Sequence, residues 1–239
     1  MKLAAWNLNH KASERKLKAG IAEAARKLDL DVLILTEYVH GNSRAPLTEA
    51  LESMGLRHIR FSERLNLNNQ VLIASRLPLE LGDLSGPNMH DLGGVCNFLH
   101  VRLPDVGVEV VGLRAPAYES SPELRDYWTQ LTATIRAARD RSIIFAGDLN
   151  ADPRTTRRVG DKHLAALCSE GWQVPDAVGE WSYASGTRVD HAILSPSFKG
   201  AAASYVVEVE GVLLAGRGNP LAVSDHAALV VQLTAPGEA

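Results

Sequence analysis

Short apolar runs alternate along the chain with stretches of helical periodicity. The runs are rich in leucine and β-branched residues, which predicts strands buried on both faces. Pro104, Asp105 and Gly107 separate two of these runs and predict a hairpin between them. The predicted strands cover residues 2–6, 31–36, 58–61, 70–75, 95–103, 108–113, 142–146, 189–194, 202–209 and 227–233.

Apolar residues recur at helical spacing over residues 13–28, 47–54 and 124–139. Ser13 is expected to cap the first helix, and Gly55 to end the second because glycine tolerates positive φ. Many strands with few helices between them predict two packed sheets flanked by helices. The same pattern disfavours a strictly repeating βα barrel.

The chain has 239 residues, of which 46% are hydrophobic, and this is enough to bury a large core. We therefore expect one domain over residues 1–234 and a loose tail over residues 235–239. No apolar run approaches the roughly 18 residues of a membrane span, so we expect a soluble, cytoplasmic protein. A formal net charge of -3 argues against a wholly basic surface that binds long duplexes, but leaves room for a local basic groove.

Polar clusters follow or precede several of the predicted strands. Asn7, Glu37 and the Gly-Asp-Leu-Asn stretch at residues 147–150 follow strands, and the Ser-Asp-His stretch at residues 224–226 precedes one. Side chains at strand ends reach the rim of a buried sheet, where residues far apart in sequence can converge. That arrangement suits a metal-assisted hydrolytic site.

The order of these motifs resembles the endonuclease/exonuclease/phosphatase family, and the likeness runs from residue 3 to about residue 233. The motifs are Trp6-Asn7, then residues 35–37 (LTE), 71–78 (VLIASRLP), 147–150 (GDLN), 188–195 (RVDHAILS) and 224–226 (SDH). The resemblance implies an α/β fold, namely a four-layered, DNase I-like sandwich of two mixed sheets flanked by helices. It also implies an enzyme that hydrolyses phosphoric esters with Mg²⁺ or Mn²⁺.

By this resemblance, Glu37 is the principal metal ligand. Asn7 is similar to the asparagine that contacts metal-bound water and the scissile phosphate, and Asp225 to an additional metal ligand or outer carboxylate. Glu37 is also the kind of hard oxygen donor that holds Mg²⁺. Taken alone, Glu37 could be an exposed strand-end carboxylate, and Asn7 a turn former.

Asp148 and Asn150 flank Leu149, so in extended backbone their side chains point to the same face. The resemblance makes Asp148 the group that orients or deprotonates the attacking water, and Asn150 a hydrogen-bond donor to the charged transition state. Asp190 is expected to hold the imidazole of His226, which would face the phosphate as an electrostatic donor or acid/base. The alternative for residues 147–150 is a simple turn.

Arg114 departs from the family pattern. It falls where relatives usually carry a catalytic histidine or tyrosine, and an arginine side chain stays protonated at neutral pH. Arg114 can instead bind a phosphate bidentately and stabilise transition-state charge. The alternative is a different register, in which Tyr118 or His100 fills the vacant place.

Substrate-binding candidates lie around these motifs. Arg154 and Arg157 follow residues 147–150 and could form a basic lip for a nucleic-acid backbone, or a solvated loop. Trp181 and Tyr183 precede the 188–195 motif, and either ring could stack on a base or sugar, or pack against the core.

The leading hypothesis is a divalent-metal-dependent phosphodiesterase, most plausibly a nuclease acting on DNA or RNA. One alternative is the same chemistry on a small phosphoester or a phospholipid headgroup. A second is a phosphate-binding module of the same fold without turnover, which Arg114 motivates. A module without turnover has no chemical need for all six of the matching residues, which argues against it; they are Asn7, Glu37, Asp148, Asn150, Asp190 and His226.

Overall fold

A computed structural model of the chain describes residues 1–10, 12, 18–65, 69–89, 93–117, 121–216 and 218–233. The helices are α1 (Ala19–Leu28), α2 (Arg44–Ser53), α3 (Pro122–Ala137) and α4 (Val159–Ser169). The strands are β1 (Lys2–Asn7), β2 (Val32–Tyr38), β3 (His58–Phe61), β4 (Gln70–Ser75), β5 (Glu80–Leu81), β6 (Phe98–Leu103), β7 (Val108–Arg114), β8 (Ile143–Asp148), β9 (Asp190–Leu194), β10 (Ala201–Val206), β11 (Glu208–Val209), β12 (Val212–Leu213) and β13 (Ala228–Leu233).

Within the described residues, the strands form two mixed sheets and one small hairpin, β11-β12. The six-stranded sheet has the order β10-β13-β1-β2-β4-β3, in which β1 and β2 are parallel and the other neighbours antiparallel. The five-stranded sheet has the order β5-β6-β7-β8-β9, in which β7 and β8 are parallel and the other neighbours antiparallel. The predicted hairpin across Pro104 and Gly107 is β6-β7.

Apolar clusters fill the spaces between the layers. One cluster lies between the two sheets and includes Leu3 and Ile144. A second, with Ile21 of α1, covers the outer face of the six-stranded sheet, and a third, with Trp128 of α3, covers the outer face of the five-stranded sheet. Each sheet is therefore buried on both faces, as its apolar strands require. The predicted four-layered α/β sandwich is confirmed.

The topology brings several strand ends to one edge of the sandwich. β1 and β2 run parallel in one sheet, β7 and β8 run parallel in the other, and β1 faces β8 across the core. β9 and β13 are antiparallel to their neighbours β8 and β1, so they begin at the edge where those strands end. The last residues of β1, β7 and β8 and the first residue of β9 are Asn7, Arg114, Asp148 and Asp190.

Some element boundaries differ from the predictions. The strand predicted at residues 95–103 begins at Phe98, since a turn precedes it in which Asn97 N–H donates to Gly93 O at 2.8 Å. The strand predicted at residues 202–209 is interrupted at Val207 and forms β10 and β11. Ser13 and the tail at residues 235–239 lie outside the described residues.

The helix α4 is absent from the predictions, because residues 154–162 look like a charged loop. Its N-terminus depends on Asp161, a buried carboxylate that accepts hydrogen bonds from the backbone N–H groups of Asp152 at 2.8 Å and Arg158 at 3.0 Å. Such capping by a buried acid is not visible as an apolar pattern. None of the described helices is long and apolar enough to cross a membrane.

Candidate active site

A cleft of about 350 Å³ opens at the edge where the strand ends meet. Most of the predicted site residues border it. The cleft is lined by Asn9, His10, Glu37, Arg114, Ala117, Asp148, Asn150, Arg158, Tyr183, Val189, Asp225 and His226. Asn7 and Asp190 lie directly behind this lining, hydrogen-bonded to Asp148 and His226 respectively.

Glu37 reaches the cleft through a bulge near the end of β2. The pairing of β2 with β4 shifts register between Leu35 and Tyr38, and Glu37 has a φ of 51°. A left-handed non-glycine residue costs on the order of 1–3 kcal/mol and persists where its surroundings hold it. Arg114 Nε donates to Glu37 Oε1 at 2.7 Å, and His10 Nε2 lies 3.2 Å from Glu37 Oε2.

Asp148 is the most deeply placed carboxylate of the cleft lining, with 2% of its surface exposed. A Cβ on the preceding Gly147 would lie 1.9 Å from Leu113 O, so glycine is required for β8 to approach β7 here. Asp148 Oδ2 accepts from Asn7 Nδ2 at 2.9 Å, and Oδ1 accepts from the Asn150 backbone N–H at 3.0 Å. Burial raises the pKa of Asp148 to about 6. The carboxylate is therefore a stronger base than a solvated aspartate, yet ionised at neutral pH.

The backbone after β8 is a turn, so the expectation of extended backbone across Asp148 and Asn150 is wrong. Asn150 has a φ of 48°, and its backbone contact to Asp148 closes the turn. Leu149 packs into the core behind it. The turn still brings both polar side chains to the cleft, where Asn150 Nδ2 donates to Ala115 O at 2.9 Å.

His226 and Asp190 form a buried pair. His226 Nδ1 lies 2.9 Å from Asp190 Oδ2, and the Asp190 backbone N–H donates to Ser182 Oγ at 3.0 Å. Tyr205 Oη donates to the Asp190 carbonyl at 2.9 Å, which fixes the backbone of the pair. Although burial opposes the charged imidazole, the Asp190 carboxylate raises the pKa of His226 to about 9. His226 is therefore an imidazolium at neutral pH on the wall of the cleft.

Arg114 is the last residue of β7 and pairs with Asp148, the last residue of β8. Its Nε is 3.8 Å from Asp148 Oδ2 in addition to the contact with Glu37. The sequence left two alternatives for this position, Tyr118 and His100. Tyr118 lies outside the described residues. His100 is remote from the cleft, because it lies on β6 and contacts Glu109 at the start of β7, so that alternative is wrong.

His100 belongs to a cluster at the opposite end of the five-stranded sheet, where donor atoms of Asp83, His100 and Glu109 lie within 4.8 Å of one another. Arg141 already binds both carboxylates, and its Nη2 is 2.6 Å from Asp83 Oδ1. His100 Nδ1 accepts the Leu84 backbone N–H at 3.0 Å, so Nε2 is the nitrogen that donates to Glu109. These contacts use the donors and offset the charge, as in a structural ion-pair network.

The two candidate aromatic residues are placed differently. The Tyr183 ring borders the cleft, with its centroid 4.8 Å from that of His226. Trp181 instead packs against the core between the sheets, which is the packing alternative considered from the sequence. The prediction that Trp181 binds substrate is therefore not supported. Asp225 borders the cleft with its Oδ1 4.0 Å from His226 Nε2.

The two candidate arginines also differ. Arg154 is neutralised locally, since its Nε and Nη2 donate to the Asp152 carboxylate at 3.0 and 2.8 Å. A basic lip that includes Arg154 is therefore not supported. Arg157 is exposed and lines a second pocket of about 250 Å³, which shares Arg158 and Val189 with the cleft. We call this second pocket the arginine pocket.

His10 and its neighbour Asn9 line the cleft but carry no signal among the sequence patterns. Both follow β1 in a short loop, where polar residues show no periodicity. Ser182, which orients the Asp190 backbone, is missed for the same reason. The sequence hints at His10 only through its position three residues after Asn7, in the loop that follows β1.

The donor set of the cleft fits a divalent cation. Glu37, Asp148 and Asp225 line one cavity, and carboxylate oxygens are the ligands that Mg²⁺ and Mn²⁺ prefer. In addition, Asp190 Oδ1 is buried and has no hydrogen-bond partner among the described residues. The excess of hard, negatively charged donors at one place is what such an ion offsets.

The fold is that of the DNase I-like α/β sandwiches. A model of the Endonuclease/Exonuclease/phosphatase family matches residues 4–226, so the chain belongs to this family of phosphoester hydrolases, which generally depend on a divalent metal ion. A search of curated protein sequences finds no match.

Solved structures with similar folds come from several organisms. The 3'-5' exonuclease NExo from Neisseria meningitidis has a TM-score of 0.71 at 19% identity, with 98% of this chain and 99% of that chain covered. An AP endonuclease from Archaeoglobus fulgidus has 0.68 at 17% identity over 98% and 99%. TDP2 from C. elegans has 0.67 at 17% identity over 98% and 75%. At these identities the similarity concerns the fold alone.

Proposed function

We propose that this protein is a divalent-metal-dependent phosphodiesterase that cleaves nucleic-acid strands. The observation that carries the proposal is the convergence of two hydrogen-bonded pairs, Asn7–Asp148 and Asp190–His226, on one cleft that also contains Glu37. A hydrolytic phosphodiesterase needs a cation site, a base for water and donors to the developing negative charge. The cleft contains a group for each of these.

Glu37 is the principal ligand of the ion, with Asp225 and Asn7 as further ligands or as partners of its bound water. When bound, the ion offsets negative charge on the phosphoryl oxygens. The amide of Asn7 is already engaged, since Nδ2 donates to Asp148 and Oδ1 accepts the Asn9 backbone N–H at 2.8 Å. A contact from Asn7 to the ion or its water uses the remaining lone pair of Oδ1.

Asp148 orients and deprotonates the attacking water. Its raised pKa makes it a stronger base, and its contacts with Asn7 and Asn150 fix both oxygens. On the other wall, His226 donates from its Nε2 to the phosphate, since its Nδ1 is held by Asp190. The positive charge of this imidazolium attracts the anionic substrate. The attraction becomes stronger in the transition state, because negative charge builds up on the phosphoryl oxygens.

Arg114 acts as a donor to the phosphoryl group rather than as a proton carrier. Its contact with Glu37 uses Nε, and a guanidinium offers further N–H groups in a planar fork. Asn150 has one amide hydrogen committed to Ala115 O, and the second is available to the transition state.

The arginine pocket favours a polymeric substrate over a small phosphoester. It adjoins the cleft through Arg158 and Val189, and the exposed Arg157 in its lining would bind a neighbouring phosphate of a strand. A small ester has no second phosphate to use this charge. The ring of Tyr183 on the cleft wall is a surface on which a base or sugar can stack.

Hydrolysis of matched substrates tests the proposal. Purified protein with Mg²⁺ or Mn²⁺ is assayed on single-stranded DNA, duplex DNA, RNA and bis-p-nitrophenyl phosphate. The variants are Asp148→Asn and Glu37→Gln, with Asp105→Asn as a control for removal of a carboxylate far from the cleft. We expect metal-dependent cleavage of at least one nucleic acid, abolished in the first two variants and unchanged in the control.

Two results would contradict the proposal. Turnover of the small ester without cleavage of any nucleic acid would favour a small phosphoester or phospholipid substrate. Absence of turnover on every substrate, with phosphate binding retained, would favour a binding module.

A further inference from the structure

His10 lies on the rim of the cleft and faces Glu37. The loop that carries it turns back toward the cleft, because Asn9 and His10 both have left-handed backbone, with φ of 45° and 59°. Non-glycine residues adopt this conformation at a cost of order 1–3 kcal/mol, and such residues cluster at active sites and ligand clamps. The Asn9 backbone N–H donates to Asn7 Oδ1 at 2.8 Å, which ties the loop to the end of β1.

The two oxygens of Glu37 have different neighbours. Oε1 accepts Arg114 Nε at 2.7 Å, and Oε2 lies 3.2 Å from His10 Nε2. A cation cannot approach the Oε1 side closely without displacing the guanidinium. The Oε2 side therefore faces both the cleft and an imidazole nitrogen, which is itself a metal ligand when neutral.

The spacing of these two atoms matches that of neighbouring ligands on one ion. Metal bonds of about 2.1 Å to oxygen or nitrogen, arranged at right angles, put the two donors about 3.0 Å apart. The observed separation is 3.2 Å. We propose that His10 Nε2 is a ligand of the divalent ion that Glu37 holds, an inference that rests on the proposed metal site.

An imidazole ligand changes which metal the site prefers. Nitrogen donors favour transition metals over Mg²⁺, which prefers oxygen donors and retains its waters. His10 therefore shifts the preference of the site toward Mn²⁺. Loss of a supporting group commonly weakens metal binding by about 10–100-fold, and loss of a direct ligand is expected to cost at least as much.

The test is electron spin-echo spectroscopy of Mn²⁺ bound to the full chain, which detects nitrogen ligands directly, together with Mn²⁺ and Mg²⁺ titrations. The proteins are wild type, His10→Ala and His58→Ala. The last is a control for removal of a histidine, because His58 lies in β3 beside the end of β4 that is farthest from the cleft. We expect nitrogen modulation in wild type and His58→Ala and none in His10→Ala. We expect Mn²⁺ affinity to fall about tenfold or more in His10→Ala, and Mg²⁺ affinity by about twofold.

The outcomes separate this inference from the proposed function. Nitrogen modulation that persists in His10→Ala and disappears in His226→Ala would overturn the assignment of His10, as would bound Mn²⁺ without any modulation in wild type. In both cases the Glu37 site stands if Glu37→Gln abolishes Mn²⁺ binding. Mn²⁺ binding that is unchanged in Glu37→Gln would overturn both.

Discussion

Asn7 Nδ2 donates a 2.9 Å hydrogen bond to Asp148 Oδ2, and this contact joins the ends of strands in two different sheets. The two residues are 141 positions apart in sequence. Because both side chains are buried, the hydrogen bond is shielded from water and links the packing of the sandwich to the placement of the base. A change at either residue is therefore expected to affect stability and catalysis together.

Replacing Asn7 with alanine tests this coupling. The change leaves a buried carboxylate with one donor fewer, which costs about 1–3 kcal/mol in the free energy of unfolding and raises the pKa of Asp148 further. We expect a lower kcat together with the loss of stability, measured by steady-state kinetics and urea denaturation. Asn88→Ala, which removes an exposed amide, is the control. Full activity and stability in Asn7→Ala would show that the contact has no such role.

The Asp190–His226 pair predicts a specific titration. In metal-free protein, NMR should give a pKa of about 9 for His226, since the Asp190 carboxylate outweighs the effect of burial. In Asp190→Asn, burial is no longer offset by this partner, and the pKa should fall to near or below the ordinary value of 6.5. A wild-type pKa below 7 would contradict the assigned pair.

The same pair predicts how stability depends on pH. The folded-state pKa of His226 is raised, so protonation of the imidazole stabilises the folded state. That contribution is complete below the ordinary pKa of 6.5 and is lost as pH rises through about 9. Its size is on the order of 3 kcal/mol. Between pH 6 and pH 10, wild type should therefore lose more stability than Asp190→Asn in metal-free denaturation measurements.

The sequence predicts that polar residues stand at strand ends, because this placement follows from the apolar runs alone. Asn7, Glu37, Asp148 and His226 each stand beside an apolar run, and a buried sheet carries such residues to its rim. The pairing of β1 with β2 and of β7 with β8 is seen only in the structure, since periodicity does not encode strand order. The left-handed backbone at Glu37 could not be predicted from the sequence either, since the bulge depends on the pairing of β2 with β4.

Arg114 should be important for turnover but unfavourable for metal binding. Its guanidinium donates to Glu37, so in Arg114→Ala the carboxylate loses a neighbouring cation and should bind Mn²⁺ more tightly. Loss of a donor to the transition state commonly costs about 100-fold in kcat. Arg114→Lys should recover part of the rate, since it restores the charge without the planar fork.

Calorimetric titration and single-turnover kinetics of these variants measure the two effects separately. Arg125→Ala, an exposed arginine on α3, is the control. An unchanged rate in Arg114→Ala would contradict a role in the reaction.

Arg157 and Arg154 should behave differently toward an oligonucleotide. Both side chains line the arginine pocket, but Arg157 is exposed, whereas Arg154 is paired with Asp152. Arg157→Ala should raise KM and reduce the slope of log affinity against log salt by about 0.7–0.9, the loss of one phosphate contact. Arg154→Ala should change the slope little. Equal effects of the two variants would argue against the arginine pocket as the site of a second phosphate.

The limits of sequence-based prediction are clearest for charged residues. Arg154 and Arg157 look alike in the sequence, and only their neighbours distinguish them, since Asp152 neutralises one of them. His100 is another example, since its contact with Glu109 occupies an imidazole that the sequence leaves unassigned. Pairing between charges on different loops depends on tertiary geometry, which neither periodicity nor motif spacing encodes.

Anomalous diffraction from crystals soaked with Mn²⁺ would show whether Glu37 holds a divalent ion in the cleft. We expect an anomalous peak within bonding distance of Glu37 Oε2, in the cleft bordered by Asp148 and His226. An ion at the Asp83–His100–Glu109 cluster instead, with no peak at Glu37, would contradict this expectation.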